Sequence, residues 1–431
     1  MPNINNIQSN FERALRDVTI SLKEESATEF QRNTKLPLYA LLRLLIGAEG
    51  GALARIAHQA GIEVTPAAIS QRRAQIPSEV FHDIFERFNV LSDDLETYRG
   101  YRVLAVDGTS VNMPRNPNSP CFVCNAGAPE GYCQMHLNPL YDVLNRTYFD
   151  AVLQPEPKKD EIGTLVEMLR NNDFLSPTLI IADRGYESYN LLAHLIEQEN
   201  VDFMVRVKQN HSAMREIAKI QFQECDMNVK FTISTTQTNE DKRNGHIFLQ
   251  VPKKSKKTSK TRRARWDFPS PYPMRLRIVR FQLPTGEFET IATSLPQSFT
   301  IEDIKNLYHL RWGIETSFRD LKYTIGLVNL HGKRDDFVER EIYAAMTAFN
   351  YASRIVREVV IRQPTKGIYA YKVNFKQAVM YVRELIRNPK MNIETVERNI
   401  AKNLIPIREG RQDERKLKPK GFVGFTYRVS A

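Results

Sequence analysis

Four residues in the stretch YHLRWGIETSFRDLK could act together on one anion: Tyr308, Arg311, Glu315 and Lys322. At ~100° per residue they fall within about 60° of one another around a helix axis. Leu310, Ile314, Phe318 and Leu321 make an apolar stripe on another side. A lone carboxylate between two cations is a group held ionised beside an anionic ligand. Ordinary i,i+4 pairing on a solvated face uses the same charges, but it has no need of the phenol or of so narrow an alignment. Two more acids stand at special places: Asp107 closes the apolar run YRVLAV, and Asp183 closes PTLIIA. In open α/β sheets functional groups gather at the carboxyl ends of strands. Each acid alone could equally form a turn or cap a helix. Together, Asp107, Asp183 and Glu315 would repel one another unless hard divalent cations, Mg²⁺ or Mn²⁺, neutralised them. Two such ions, roughly 3.5–4 Å apart, would activate an attacking oxygen and stabilise the leaving oxygen of a phosphodiester. Tyr308, Arg311 and Lys322 would then hold phosphate oxygens nearby.

These residues need elements to position them. Thr300 followed by Asp303 predicts a helix starting near residue 301. Upstream, YRVLAVDGTSVNM reads as a buried strand running into a turn. MHLNPLYDVLN and TYFDAVLQP read as two strands joined at Asn145-Arg146. A helix (DEIGTLVEMLRNN), the Asp183 strand, a second helix and the strand VDFMVRVKQN follow, which predicts a mixed α/β sheet with helices on its faces. KFTISTTQ, GHIFLQV, MRLRIVRFQL and FETIATSL alternate apolar and polar residues as in a mostly antiparallel insertion. Further helices are predicted at 336–360 and 374–388, and FVGFTYRVS as a closing strand. The expected divisions are helices over 1–98, a core over 99–209 and 298–365 split by the insertion at 210–297, and a helical, basic end over 366–431.

Three more patterns bear on binding. In GALARIAHQAGIEVTPAAISQRRAQI, Gly61 suits the end of one helix, and Thr65 and Pro66 the start of another. The result resembles a helix-turn-helix presenting Ser70, Gln71, Arg72 and Arg73 to DNA, or else a plain helical hairpin. Cys121, Cys124, Cys133 and His136 form C-x2-C-x8-C-x2-H, a spacing that suits a structural zinc. Eight cations without an acid, including Lys256, Lys257, Arg262 and Arg263, run from Lys253 to Arg265 and could order on a phosphate backbone.

Y-x2-R-x3-E-x6-K, with VDGTS and ADRGY upstream, resembles the signature of DDE transposases of the insertion sequence four family. HLNPLYDVLNRTYFDAV and FTYRV resemble that family too, so the likeness covers nearly the whole chain. It implies a ribonuclease H-like core with Asp107, Asp183 and Glu315 as the metal-binding triad. It also implies Tyr308, Arg311 and Lys322 on DNA phosphates, and Trp312 near a base flipped from the transposon end. The implied activity is cleavage at inverted-repeat ends and strand transfer, in some members through a hairpin. The implied partners are double-stranded transposon ends, target DNA and a second copy of the chain. Alternatives are another metal-dependent nuclease of the same fold and a catalytically silent DNA-binding descendant.

The bulk numbers agree with an anionic partner. The 431-residue chain carries +11, of which the Lys253–Arg265 run supplies eight and the rest +3. Hydrophobic content of 42% and charged content of 26% place it among globular chains. LPLYALLRLLIGA is too short to span a bilayer and is broken by Arg43. Four cysteines are no disulfide framework, which suits a reducing cytoplasm; the family resemblance implies a bacterial, nucleoid-associated setting.

Overall fold

The computed structural model describes residues 4–25, 30, 34–48, 52–91, 95–209, 212–220, 224–251, 265–363, 369–408 and 425. Five helices open it: α1 (Ile4–Glu25), α2 (Leu38–Ile46), α3 (Leu53–Gln59), α4 (Pro66–Gln75) and α5 (Val80–Val90). Next come β1 (Arg102–Val106), β2 (Thr109–Met113), β3 (Phe122–Asn125), β4 (Ala128–Asp142) and β5 (Thr147–Pro155). These lead into α6 (Glu161–Asn171), β6 (Thr178–Ala182), α7 (Tyr189–Glu197) and β7 (Val201–Val207). The following segment holds a short helix α8 (Arg215–Ala218), β8 (Cys225–Ser234), a short helix α9 (Asn239–Arg243), β9 (Ile247–Phe248), β10 (Tyr272–Gln282) and β11 (Phe288–Thr293). The chain ends with α10 (Ile301–Leu310), α11 (Trp312–Arg319), α12 (Asp335–Glu358), β12 (Tyr371–Val373), α13 (Phe375–Arg387), α14 (Ile393–Lys402) and β13 (Leu404–Pro406).

One mixed sheet of 11 strands organises the molecule, in the order β2-β4-β1-β6-β7-β11-β10-β8-β9, with β3 and β5 also on β4. β1, β6 and β7 are parallel neighbours; β4 runs antiparallel to β1, and β5 antiparallel to β4. The antiparallel strands β8, β10 and β11 extend the same sheet through β7 rather than building a separate one. Of GHIFLQV, only Ile247–Phe248 is strand. The predicted closing strand at FVGFTYRVS apart from Phe425, the 408–420 tail beyond Arg408 and the basic run at 252–264, with Lys256, Lys257, Arg262 and Arg263, lie outside the described residues.

Strand parity decides what each face packs against. Leu104, Val106, Ile180, Ala182, Phe203 and Val205 share a core with α6 and α7. The residues that alternate with them, Val103, Leu179, Ile181 and Met204, pack with Ile304, Leu307 and Tyr308 of α10. Each fully buried Leu, Ile or Phe contributes ~1.5–3 kcal/mol, so a one-residue slip of register is strongly disfavoured. A third cluster joins α1, α2, α5, α12, α13 and β4, so the first and last helices wrap the long α12 together. Among the described residues, no helix is long and apolar enough to cross a membrane.

Two expectations change. The chain after Asp107 does not turn away: Val106 faces Leu140 and Thr109 faces Leu137. The register is unbroken, so β1 and β2 are one line interrupted only at Asp107-Gly108. The helix over 301–322 is also not continuous. It is interrupted at Arg311 and widens into a π turn over Asp320–Thr324, which holds Lys322.

Candidate active site

Asp107 and Asp183 follow two buried, fully apolar strand ends whose last residues, Val106 and Ala182, are register partners. Both acids therefore leave neighbouring strands, ~4.8 Å apart, at the same sheet edge. Parity turns them toward the α10–α11 face. Backbone amides orient them: Gly108 N donates to Asp107 Oδ1 at 2.8 Å, and Gly185 N donates to Asp183 Oδ1 at 2.5 Å.

The third acid comes from α10–α11. Thr300 and Asp303 close a reciprocal capping box, which fixes the start of α10 at Ile301 as the sequence predicts. Ile314, Phe318 and Leu321 are buried, pinning α11 and the π turn by the apolar stripe. Arg311 sits at the joint, 4% exposed. Its guanidinium lies 3.9 Å from Asp107 and 3.6 Å from Glu315, and its Nε has no partner. The same guanidinium stacks on Trp312 at 4.6 Å, and Trp312 is 44% exposed.

Electrostatics mark the cluster as short of positive charge. Burial, opposed by the Gly108 amide and reinforced by the Asp183 carboxylate, pushes Asp107 up to about 6; Arg311 lowers it and Glu315 raises it. Burial pushes Tyr308 up to about 12, and its hydroxyl is buried without a partner. Burial lowers Lys322, whose Nζ donates to Thr109 Oγ1 at 2.7 Å, two residues beyond Asp107. Asp107 and Glu315 flank the guanidinium and Asp183 acts on Asp107 from the neighbouring strand, an all-oxygen set of the kind hard divalent cations use. Their spacing is open, however. Among the described residues, the trio whose donor atoms all lie within 4.8 Å of one another is His82, Asp83 and Glu86 on α5.

The other predicted groups separate. Thr65 caps α4, and Gly61 ends α3 with φ 72°. Ser70 and Gln71 are exposed. Arg72 stacks on Phe30 and donates to Gln75 Oε1 at 3.0 Å. Arg73 is withdrawn from any groove: it is buried, ion-paired with Glu341 and stacked on Phe337 at 4.7 Å. The zinc expectation does not match the geometry either. Cys133 and His136 lie three apart on one strand, so they face opposite sides of the sheet. Cys121 is buried beside Cys133, while the exposed Cys124 turns its thiol to Pro129 O at 3.4 Å.

His136 belongs to a group that sequence reading missed. Its Nε2 lies 3.0 Å from Glu161 Oε1 and its Nδ1 3.3 Å from Glu156 Oε2. Burial opposes its charge, yet these two carboxylates raise its pKa overall. The available signal was the strand pairing Ser110↔His136, which sets the histidine behind Asp107.

A family model described as transposase DDE domain matches residues 98–351. The chain is 24% identical over 394 residues to the transposase InsG for insertion sequence element IS4 of Escherichia coli (strain K12). That match covers 84% of this chain and 79% of the relative. Among solved structures, the cryo-EM structure of a piggyBac transposase synaptic complex with hairpin DNA aligns over 95% of this chain and 84% of that chain, at 10% identity and a TM-score of 0.45.

Proposed function

Because this chain belongs to the DDE-domain transposase family, of the insertion sequence four type, we propose that it cleaves DNA at inverted-repeat ends and transfers the freed strand to a target. The observation that carries this reading is that Asp107 and Asp183 follow two register-matched parallel strands, while Arg311 reaches both Asp107 and Glu315 and Asp107 feels the charge of Asp183 and Glu315. The β5-β4-β1-β6-β7 part of the sheet is read as the ribonuclease H-like core, and β8–β11 as its insertion.

In this reading Asp107, Asp183 and Glu315 hold divalent cations. When bound, those cations supply charge neutralisation, activation of an attacking hydroxyl and stabilisation of the leaving oxygen. The chain's own groups do the rest. The Gly108 and Gly185 amides aim two carboxylates. Arg311 has spare donors for phosphate oxygens beside the acids, and Lys322 supplies a second cation from the π turn. The buried hydroxyl of Tyr308 is placed to donate to the same phosphates. The exposed face of Trp312 offers an unpaired base a stacking surface worth ~1–3 kcal/mol. The first five helices, with Ser70, Gln71 and Arg72 on α4, are read as contributing DNA binding, and a dimer as holding two ends. Zinc has no part in this reading.

The test is a labelled duplex carrying the element's own terminal repeat, incubated with the protein and Mg²⁺. Cutting at the repeat boundary supports the proposal, together with its loss in Asp107→Ala, Asp183→Ala and Glu315→Ala while duplex binding persists. Sequence-blind cutting would favour a nuclease of the same fold, and retention without cutting a silent descendant.

A further inference from the structure

The face of the sheet opposite the acids is packed with polar groups for which the proposed chemistry has no use. Ser110, His136, Glu156 and Glu161 meet there, and Asn138 lies on the same side of β4. His136, 2% exposed, lies between two carboxylates, with both ring nitrogens engaged. Glu156 also accepts from Ser110 Oγ at 2.7 Å and pairs with Lys159 at 2.8 Å. These partners come from β2, β4, the turn before α6 and the first residue of α6, so the histidine ties four segments together.

The group presses on the one break in the β1–β2 line. The unbroken register leaves Asp107 and Gly108 opposite Pro139 and Asn138. A Cβ on Gly108 would lie 2.5 Å from His136 Nε2 and 2.7 Å from Glu161 Oε1, closer than any real side chain tolerates. A larger residue here would force the imidazole or the Glu161 carboxylate to shift, so the glycine serves close approach rather than an unusual φ. Asn138, fully buried, has no partner for either amide atom, so it adds no competing anchor at the break. What fixes Gly108 from behind is the imidazole ring and Glu161.

We propose that His136 is a positioning residue: from the far face of the sheet it fixes the Asp107-Gly108 break, and with it the direction in which the Asp107 carboxylate enters the acidic site. This rests on the reading of Asp107 given above. Misplacing a reacting group by ~1 Å costs about 100-fold in rate, so a modest shift of this break is enough to be seen.

The experiment is single-turnover cleavage of a terminal-repeat duplex with Mg²⁺. It is run alongside the duplex Kd measured in EDTA and the melting temperature. His136→Ala is expected to slow cleavage about 30- to 100-fold with Kd changed by less than about threefold. His136→Gln, which keeps an amide donor for one carboxylate, is expected to recover about tenfold of that loss. Gly108→Ala is expected to be as slow as His136→Ala. In the His136→Ala background, where the ring it strikes is gone, it should cost less than about threefold more. The proposal is overturned if His136→Ala cuts within about twofold of the unmodified protein, or if the two substitutions add in full while rate and melting temperature fall and Kd rises together. Should His136→Ala not fold, His136→Gln and Gly108→Ala carry the same comparison. Asp107→Ala separates the two levels. If it still cuts, the functional reading falls and this proposal with it; if it is inactive while His136→Ala cuts normally, this proposal alone falls.

Discussion

Arg73 and Arg311 are both buried, at 7% and 4% exposure, and both read from the sequence as contacts for DNA. Their surroundings differ. Arg73 is ion-paired with Glu341, stacked on Phe337, and its carbonyl accepts from Arg340 Nη1 at 3.0 Å. Glu341 in turn accepts from the backbone amides of His331 and Gly332. Arg311 has only longer contacts, 3.9 and 3.6 Å, to two acids and an orphaned Nε. The neighbouring Tyr308 hydroxyl is orphaned as well. A buried cation with its hydrogen bonds complete holds helices together; one left incomplete among like-charged acids is kept for a ligand.

The comparison breaks if the two arginines respond alike. Arg73→Ala leaves Glu341 buried without its cation. It is expected to cost about 3–5 kcal/mol in unfolding free energy, measured by denaturant titration, with no change in the salt slope of duplex binding for the folded fraction. Arg311→Gln is expected to slow end cleavage about 100-fold in single-turnover assays. Its stability should stay within about 1 kcal/mol, because little satisfied bonding is lost.

The acids sharpen it further. Asp107, pushed up to about 6, holds its proton more tightly folded than unfolded. Its ionisation therefore opposes folding: the penalty is absent below the unfolded value near 3.8 and fully present once pH exceeds about 6. Asp107→Asn in metal-free protein should accordingly be more stable than the unmodified chain at pH 7.5, by about 1–3 kcal/mol. The gain should vanish below about pH 4, as melting temperatures across pH would report. Smallest is Lys322→Ala, which should weaken duplex binding about tenfold and lower the salt slope by about 1; an unchanged slope would assign Lys322 only to its bond with Thr109.

Spacing and caps carried much of this in the sequence. Thr300 and Asp303 set the start of α10, the apolar runs before Asp107 and Asp183 became neighbouring strands, and the Y-x2-R-x3-E-x6-K stretch did come to the acids. What stayed hidden depends on partners distant in sequence. Nothing near Arg73 announces Glu341, 268 residues away. The C-x2-C-x8-C-x2-H spacing suggests a metal only if the segment is a loop. Once Ala128–Asp142 is a strand, period two sends Cys133 and His136 to opposite faces. His136 was thus noticed for the wrong chemistry, because its glutamates lie beyond β5 in a turn and a helix start. The π turn that holds Lys322 has no local signature in the sequence.

The central claim is that Asp107, Asp183 and Glu315 hold metal as one site, and a metal-swap measurement tests it most directly. Each acid is replaced by cysteine, and cleavage of the terminal-repeat duplex is timed with Mg²⁺ and then with Mn²⁺, which accepts a thiolate more readily. No cutting is expected in Mg²⁺ and recovery in Mn²⁺, with duplex binding intact in both. Wild-type cutting in Mg²⁺ by any of the three variants, or inactivity in both metals despite intact binding for all three, would contradict it.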